Sequence, residues 1–163
     1  MQVAIGKAMV MSATEPYEGS VCFYDHLSEL FLKKKNELVS ILKSTKLNWK
    51  VLEPEGGFFV LVDISGCIND MPRKYLFGGV VPDSEKDVDD YRKLKKVTVS
   101  PDFAFAQYLI EEFKVAALPL SPFYNNVGVE NPLDYRGSTF LRFAICKNDE
   151  TFKIVRERLL SHN

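Results

Sequence analysis

The sequence has few cysteines and histidines, and this scarcity narrows the kinds of site that it can hold. It contains three cysteines and two histidines in 163 residues, and the cysteines are far apart, at Cys22, Cys67 and Cys146. No Cys-x-x-Cys spacing occurs, so we expect neither a zinc site nor a disulfide framework. Thiols without such a framework suit a reducing compartment, and we therefore expect a cytoplasmic protein.

An excess of charge of one sign is missing as well. Lys and Arg number 21, Asp and Glu number 22, and the formal net charge is −1. This balance provides no field that would concentrate nucleic acid or an anionic membrane, so we expect neither partner. The longest apolar runs, Phe58–Val62 and Val115–Leu120, are too short to span a bilayer, and the N-terminus lacks the charged start of a signal peptide.

The sequence does contain enough apolar material for one core, at 46% hydrophobic residues. Apolar residues spaced three and four apart predict helices, and aromatic or β-branched runs predict strands. The predicted elements are a helix over 1–13, a turn over 14–20, a helix over about 21–44, strands over 50–52 and 58–65, a helix from 100, strands over 115–120 and 140–146, and a final helix after 148. We expect an α+β fold, an α/β sandwich in which helices cover one face of a small mixed or antiparallel sheet.

Residues 66–99 do not follow a helix or strand pattern. They combine Pro, paired Gly and a dense run of charges, which predicts a long, mobile surface excursion, with a docking loop as the alternative. The helix that follows opens with Ser100 as N-cap, Pro101 in the first turn and Asp102 near the positive end. Its predicted buried face consists of Phe103, Ala106, Leu109, Ile110 and Phe113.

Arg142 is the residue whose surroundings point most directly to a ligand. It lies between Leu141 and Phe143 in FLRFAIC, an otherwise apolar strand. A guanidinium is costly to bury without an anionic partner. The residues alone leave two interpretations open. Arg142 either pairs or reaches solvent within its own chain, or its planar fork clamps a ligand carboxylate.

Several segments, taken in order, resemble the C-terminal third of the class I and II, fold-type I aminotransferases, which depend on pyridoxal phosphate. The greatest similarity is to the kynurenine aminotransferase, glutamine transaminase K and cysteine-conjugate β-lyase group. The segments are QVAIGKAM, EPYEGSVCFYDHLSELFLKKKNELVSIL, EPEGGFFVLVDIS, VAALPLSPFY and FLRFAICKNDETFKIVRERL. The last segment, with its arginine inside a strand, is the most specific.

This resemblance implies a role for Arg142, because the equivalent arginine of the family binds the α-carboxylate of the amino-acid or keto-acid substrate. It implies that residues 1–13 are the remnant of an interdomain helix and that residues 14–163 form the C-terminal small domain. Five further residues are similar to segments that lie near the cleft between the domains: Gly57, Phe58, Ser121, Phe123 and Tyr124.

The resemblance also implies what other parts of such an enzyme supply. The family needs a Schiff-base lysine for pyridoxal phosphate, an aspartate on the pyridine nitrogen and groups that hold the phosphate. These belong to a large domain upstream of Met1. We therefore expect no catalytic lysine in this chain and no stable cofactor binding by the chain alone, whereas a second subunit completes the family's homodimer.

Two functions from different classes follow. In the first, the chain is part of a transaminase that moves an amino group between an aromatic or apolar L-amino acid, such as kynurenine, and an α-keto acid. In the second, it is a non-catalytic carboxylate-binding or interaction module derived from the same domain, and Arg142 should then be paired within the chain.

Overall fold

The computed structural model describes residues 2–161. Met1 and residues 162–163, the ends of the predicted segments 1–13 and 14–163, lie outside the described residues. Within the described part there are four α-helices, namely α1 Gln2–Thr14, α2 Phe23–Lys43, α3 Pro101–Tyr108 and α4 Asp149–Ser161, and a π-helical turn, Leu109–Phe113, extends α3. The strands are β1 Lys50–Leu52, β2 Phe59–Asp63, β3 Leu118–Pro119 and β4 Phe140–Ala144.

These strands form one antiparallel sheet in the order β1-β2-β4-β3. In the register of the sheet, Leu61 on β2 and Leu118 on β3 both pair with Arg142 on β4. Directly paired residues point to the same side of a sheet, so these three side chains form one row on one face. The predicted α+β class with a small antiparallel sheet is thereby confirmed. The predicted strand 115–120 was too long, because pairing is confined to two residues.

The opposite face of the sheet carries the core. Val60, Val62 and Leu141 are 0% exposed and Phe143 is 4% exposed, because side chains alternate along β2 and β4. Helices α2, α3 and α4 pack on this face and complete a single apolar cluster with it. Each fully buried aliphatic or aromatic side chain stabilises the fold by roughly 1.5–3 kcal/mol. The core therefore fixes which residues remain on the uncovered side.

Helix α1 lies apart from that core. None of its described residues is buried, and Val3, Ile5, Met9 and Val10 are all exposed. A helix that is apolar and unburied has no stabilising face of its own within the described residues. The interpretation of this segment as an interdomain remnant stays a prediction.

Residues 66–99 are irregular, but they are not a surface excursion, and this part of the prediction was wrong. They are built from 3-10 turns at Arg73–Phe77, Asp83–Glu85 and Tyr91–Lys93. The segment contributes ten buried side chains: Cys67, Ile68, Met71, Tyr75, Leu76, Phe77, Glu85, Tyr91, Leu94 and Val97. The apolar residues follow short 3-10 turns rather than a helix or strand period, so periodicity could not find them.

Polar bonds close this irregular segment on itself. The Arg73 Nη2 atom donates hydrogen bonds to the backbone carbonyls of Val88 at 3.2 Å and Asp89 at 2.8 Å. The buried Glu85 carboxylate accepts a hydrogen bond from the backbone N–H of Lys95 at 3.1 Å. The charges that predicted mobility therefore include groups that hold the segment in place.

The buried face of α3 also differs from its prediction. Phe103 is 48% and Ile110 is 50% exposed, whereas Phe105 is 1% exposed. Three of the five predicted residues, Ala106, Leu109 and Phe113, are buried as expected. Asp102 and Phe105 are buried as well, whereas Phe103 and Ile110 are not. The widening into a π-turn then breaks the regular period beyond Tyr108.

We expect Phe105→Ala to lower the free energy of unfolding of the 163-residue chain by about 3–5 kcal/mol, because it leaves a cavity in the core. Phe103→Ala, the matched change on the exposed side of the same helix, should cost less than about 1 kcal/mol. Urea unfolding followed by circular dichroism measures both. Equal losses of stability in the two variants would show that Phe105 is no more buried than Phe103.

Candidate functional site

Arg142 lies at the centre of the uncovered sheet face. Its Nε atom is buried and has no hydrogen-bond partner. Within residues 2–161 its guanidinium forms no ion pair with a carboxylate. An unpaired guanidinium that is partly withdrawn from water is costly for the folded chain. The arrangement is stabilised when an anion reaches the arginine.

Aromatic rings hold the guanidinium in place. The Arg142 Cζ atom lies 3.8 Å from the centre of the Phe123 ring and 4.6 Å from the centre of the Phe59 ring. Such cation–π contacts contribute about 0.5–2 kcal/mol each and restrict the side chain. A restricted arginine loses less conformational freedom when it binds a carboxylate through its planar fork of donors.

An open groove of about 400 Å³ runs along this face beside Arg142. Its lining is mostly apolar and comes from β1, β2, the turn between them, the start of the loop after β3, and β4: Leu52, Glu53, Pro54, Gly56, Gly57, Phe58, Phe59, Leu61, Leu120 and Arg142. The carboxylate in the lining, Glu53, is paired with Lys43 of α2, and the Lys43 hydrogen bond and charge lower the pKa of this carboxyl. Arg142 is therefore the uncompensated charge of the groove.

The turn that leads into β2 shapes one end of the groove. Gly57 has φ of +83°, in the left-handed region that disfavours any residue with a Cβ atom. The turn then presents Phe58, which is 53% exposed and meets the Phe31 ring edge-on at 5.1 Å between ring centres. The pair of glycines thus positions an exposed aromatic side chain beside the groove.

The structure brings four of the six sequence-predicted site residues together at this groove and separates the other two from it. Gly57 and Phe58 line the groove with Arg142, and Phe123 covers the guanidinium. Ser121 is buried at 3% exposure, and its backbone N–H is held inside the domain. Tyr124 packs against Gly137, where an added Cβ atom would lie 2.8 Å from the tyrosine ring. Ser121 and Tyr124 therefore support the loop rather than line the groove.

Sequence analysis missed Phe59 and Asp102. Phe59 could have been found from strand alternation, because it lies on the same face as Leu61, the partner of Arg142 in the register. Asp102 is 0% exposed and was assigned a simple helix-start role. Nothing in its sequence position indicates that its carboxylate bonds to a distant loop.

Asp102 ties α3 to the loop that carries Phe123. Its Oδ1 accepts hydrogen bonds from the Ser100 hydroxyl at 2.7 Å and from the Phe103 N–H at 3.0 Å. Its Oδ2 accepts one from the Ser121 N–H at 2.8 Å. Ser100 thus precedes the helix as predicted, but its hydroxyl bonds to Asp102 rather than to the helix backbone. The carboxylate fixes the 3-10 turn Ser121–Phe123 and so places the ring that lies over Arg142.

Other reactive groups in the described residues do not form a catalytic arrangement. Burial raises the pKa of the Cys67 thiol to about 12, so this cysteine stays neutral and packs as an apolar side chain. Among residues 2–161 no three His, Cys, Asp or Glu side chains are placed to hold a metal ion. No helix in this part of the chain has both the length and the apolar character needed to cross a membrane.

The groove does not fit covalent attachment of pyridoxal phosphate. Its described lining contains no lysine amine, and its one carboxylate already pairs with Lys43. The charged hydrogen-bond donor in this lining is the guanidinium of Arg142, and the geometry of a guanidinium matches that of a carboxylate. The described lining therefore suits a small carboxylate better than it suits a covalently bound cofactor.

Fold and groove together define an α+β domain with an arginine-centred groove on the uncovered face of its sheet. The family model for aminotransferase class I and II matches residues 3–159. The chain belongs to this family. The resemblance read from the sequence segments is thus confirmed.

Curated relatives are similar at low identity. Kynurenine–oxoglutarate transaminase 3 of Bos taurus is 26% identical over 136 residues, covering 83% of this chain and 24% of that protein. The Homo sapiens protein of the same name is 24% identical over 136 residues, again covering 83% of this chain and 24% of that protein. A probable kynurenine–oxoglutarate transaminase of Saccharomyces cerevisiae is 27% identical over 140 residues, 84% of this chain and 26% of that protein. The chain thus spans about a quarter of the length of these relatives.

Solved structures share the fold. YbdL from Escherichia coli, for which a methionine aminotransferase function was identified, has a TM-score of 0.50 at 24% identity, over 82% of this chain and 25% of that one. The aspartate aminotransferase from Rhizobium meliloti has a TM-score of 0.51 at 22% identity, over 88% of this chain and 28% of that one.

We expect Asp102→Asn to lower the free energy of unfolding by about 1–3 kcal/mol, because an amide cannot accept hydrogen bonds at both positions and leaves a buried N–H unpaired. The exposed Asp87→Asn is the matched control and should change stability by less than about 0.5 kcal/mol. Urea unfolding gives the free energies, and hydrogen exchange at the Ser121 amide reports the loop. Unchanged exchange at Ser121 in Asp102→Asn would contradict the link.

Proposed function

We propose that this chain is the C-terminal small-domain part of a pyridoxal-phosphate-dependent transaminase and that Arg142 holds the substrate carboxylate. The observation that carries the proposal is an arginine without an ion pair in residues 2–161, restrained by Phe59 and Phe123 at the side of an open groove. A charge placed in this way requires an anion, and every amino acid and α-keto acid has one in its carboxylate.

The role of this chain in such an enzyme is to bind and orient. The in-plane donors of Arg142 would fix the carboxylate, and this restricts rotation of the substrate about its Cα. The apolar groove beside the arginine excludes part of the water around the ion pair and so strengthens it. The chemistry at Cα, a proton shift assisted by the cofactor as electron sink, comes from groups outside the described residues.

The walls of the groove support an aromatic or apolar substrate. Phe58, Phe59, Leu61 and Leu120 all line it, and its charged residues are Arg142 and the already paired Glu53. Apolar walls favour an apolar substrate side chain through burial. The curated relatives are kynurenine–oxoglutarate transaminases, so we include kynurenine among the proposed amino donors and an α-keto acid as acceptor.

Other components are part of the proposal. A large domain would supply the Schiff-base lysine and the groups that hold pyridoxal phosphate, and a second subunit would complete a homodimer. Helix α1, apolar and unburied in the described chain, is a suitable connection to that domain. A cytoplasmic location is proposed from the three thiols.

The alternative, a non-catalytic module, predicts that Arg142 is paired within its own chain. The described residues provide Arg142 with aromatic contacts but no carboxylate partner. This favours the substrate-binding role over the module.

We expect Arg142→Ala in the full-length enzyme to lower kcat/KM by about 100-fold or more, because loss of a charge-assisted, bidentate bond to the substrate costs about 3 kcal/mol. Arg142→Lys should recover part of this loss, since lysine keeps the charge but not the planar fork. Steady-state kinetics with amino acids and with the matching amines that lack the carboxylate measures the effect. The amines should lose almost nothing on substitution.

The exposed Arg156→Ala on α4 is the matched control and should leave kcat/KM unchanged. If Arg142→Ala reduces turnover of amino acids and carboxylate-free amines equally, Arg142 does not act on the carboxylate.

We also expect the 163-residue chain to release pyridoxal phosphate completely on dialysis, because the groove lining offers no lysine. Visible absorbance after dialysis, and mass spectrometry after borohydride reduction, measure retention. A cofactor fixed on one lysine of this chain would refute the assignment of cofactor binding to another domain.

A further inference from the structure

We propose that this chain has a second ligand site, separate from the Arg142 groove, which binds a small amphipathic monocarboxylate such as a medium-chain fatty acid. The site is a cavity of about 320 Å³ on the helix-covered side of the sheet. It lies between α2, β4, α4 and the segment that follows the π-turn. The inference does not depend on the proposed function.

The floor of the cavity is apolar and rigid. Leu38, Val115, Phe143 and Phe152 come from four different elements, and each is less than 5% exposed in the folded chain. A volume at the lower end of the small-ligand range, with walls of this kind, suits a short apolar body. Such a body is bound by burial of its own apolar surface.

The rim of the cavity is basic. Lys114, Lys147 and Arg158 line it, and none of the residues in its lining is acidic. Two carboxylates lie near the rim. Asp149, at the start of α4, is paired with Lys34 at 3.2 Å, and Glu111, next to Lys114, accepts hydrogen bonds from Gln107 and Tyr75. In a chain whose net charge is −1, three cations around one apolar opening are a local excess. This excess is complementary to one anionic head group.

Two of the three basic side chains are held by bonds within the chain, since Lys114 Nζ donates a hydrogen bond to the backbone carbonyl of Glu111 at 2.6 Å. Arg158 Nη1 donates a hydrogen bond to the backbone carbonyl of Lys114 at 2.7 Å. Lys114 has φ of +57°, a left-handed conformation that is uncommon for a residue with a side chain. Lys34 donates to the backbone carbonyl of Lys147 and thereby fixes that segment. A rim fixed in advance loses little entropy on binding.

The apolar floor and the basic rim together determine the class of ligand that the cavity can bind. An inorganic anion would leave the apolar floor empty, and a neutral apolar molecule would leave the three positive charges without an ion pair within residues 2–161. A cation is repelled by the rim. A monocarboxylate with an aliphatic tail satisfies both parts of the cavity with one head group and one apolar body.

Binding to the 163-residue chain is tested with octanoate, using octanamide and inorganic phosphate as comparison ligands, by calorimetry and by NMR of the Phe143 and Phe152 amides. We expect saturable octanoate binding and at least about tenfold weaker binding of octanamide, a difference of about 1.4 kcal/mol. Phosphate should not perturb the two phenylalanine amides.

Variants locate the site. Lys147→Gln should weaken octanoate binding about tenfold without lowering stability, because no hydrogen bond within residues 2–161 uses its ammonium group. Lys153→Gln, on the exposed side of α4, is the matched control and should bind octanoate normally. Ala116→Phe, which fills the opening, should remove binding, with circular dichroism confirming that the variant is folded.

Several results would overturn the proposal. Among them are no saturable binding of octanoate, equal binding of octanoate and octanamide, and equal affinity in the Lys147→Gln and Lys153→Gln variants. An Arg142→Ala chain that still binds octanoate separates this site from the groove, whereas loss of binding in Arg142→Ala would place the ligand at Arg142 and refute the second site.

Discussion

The antiparallel register between β2 and β4 is the constraint on which the candidate site depends. It pairs Leu61 with Arg142 and Val62 with Leu141, so the arginine faces one side of the sheet and the core leucine the other. A slip of one residue would turn Arg142 into the core and expose Leu141, at a cost set by the burial of a charge and the loss of apolar contacts. The core thus enforces the position of the arginine, although the arginine contributes nothing to the core.

A second constraint links the helix layer to the groove. The Asp102 carboxylate, fully buried at the start of α3, bonds to the N–H of Ser121 and so sets the turn that presents Phe123. The carboxylate lies on the buried side of α3 together with Phe105, whereas Phe103 is exposed. A buried anion near a helix N-terminus is stabilised by the backbone dipoles there, and this offsets part of its desolvation. One side chain therefore supports both the core and the aromatic cover of Arg142.

The sequence allowed much of this arrangement to be predicted, and the failures have physical causes. The α+β class, α2 and the strand bearing Arg142 follow from periodicity, because their burial patterns are regular. The packed segment 66–99 was missed because its apolar residues follow 3-10 turns and its charges include internal bonds such as that of Arg73. The burial of Asp102 was missed because it depends on a bond to the distant Ser121, and a single sequence carries no sign of that partner.

Strand β4 shows why the family name and the activity of this chain are separate questions. Neighbouring residues serve opposite faces, since Arg142 points to the groove and Phe143 to the helix layer. Folding depends on the inner row, which carries the core. The outer arginine gains its aromatic contacts with Phe59 and Phe123 and is costly without an anionic partner. Burial therefore accounts for the inner row, whereas a bound anion would account for the arginine, so strand β4 supports the family assignment more firmly than it supports an activity of this chain.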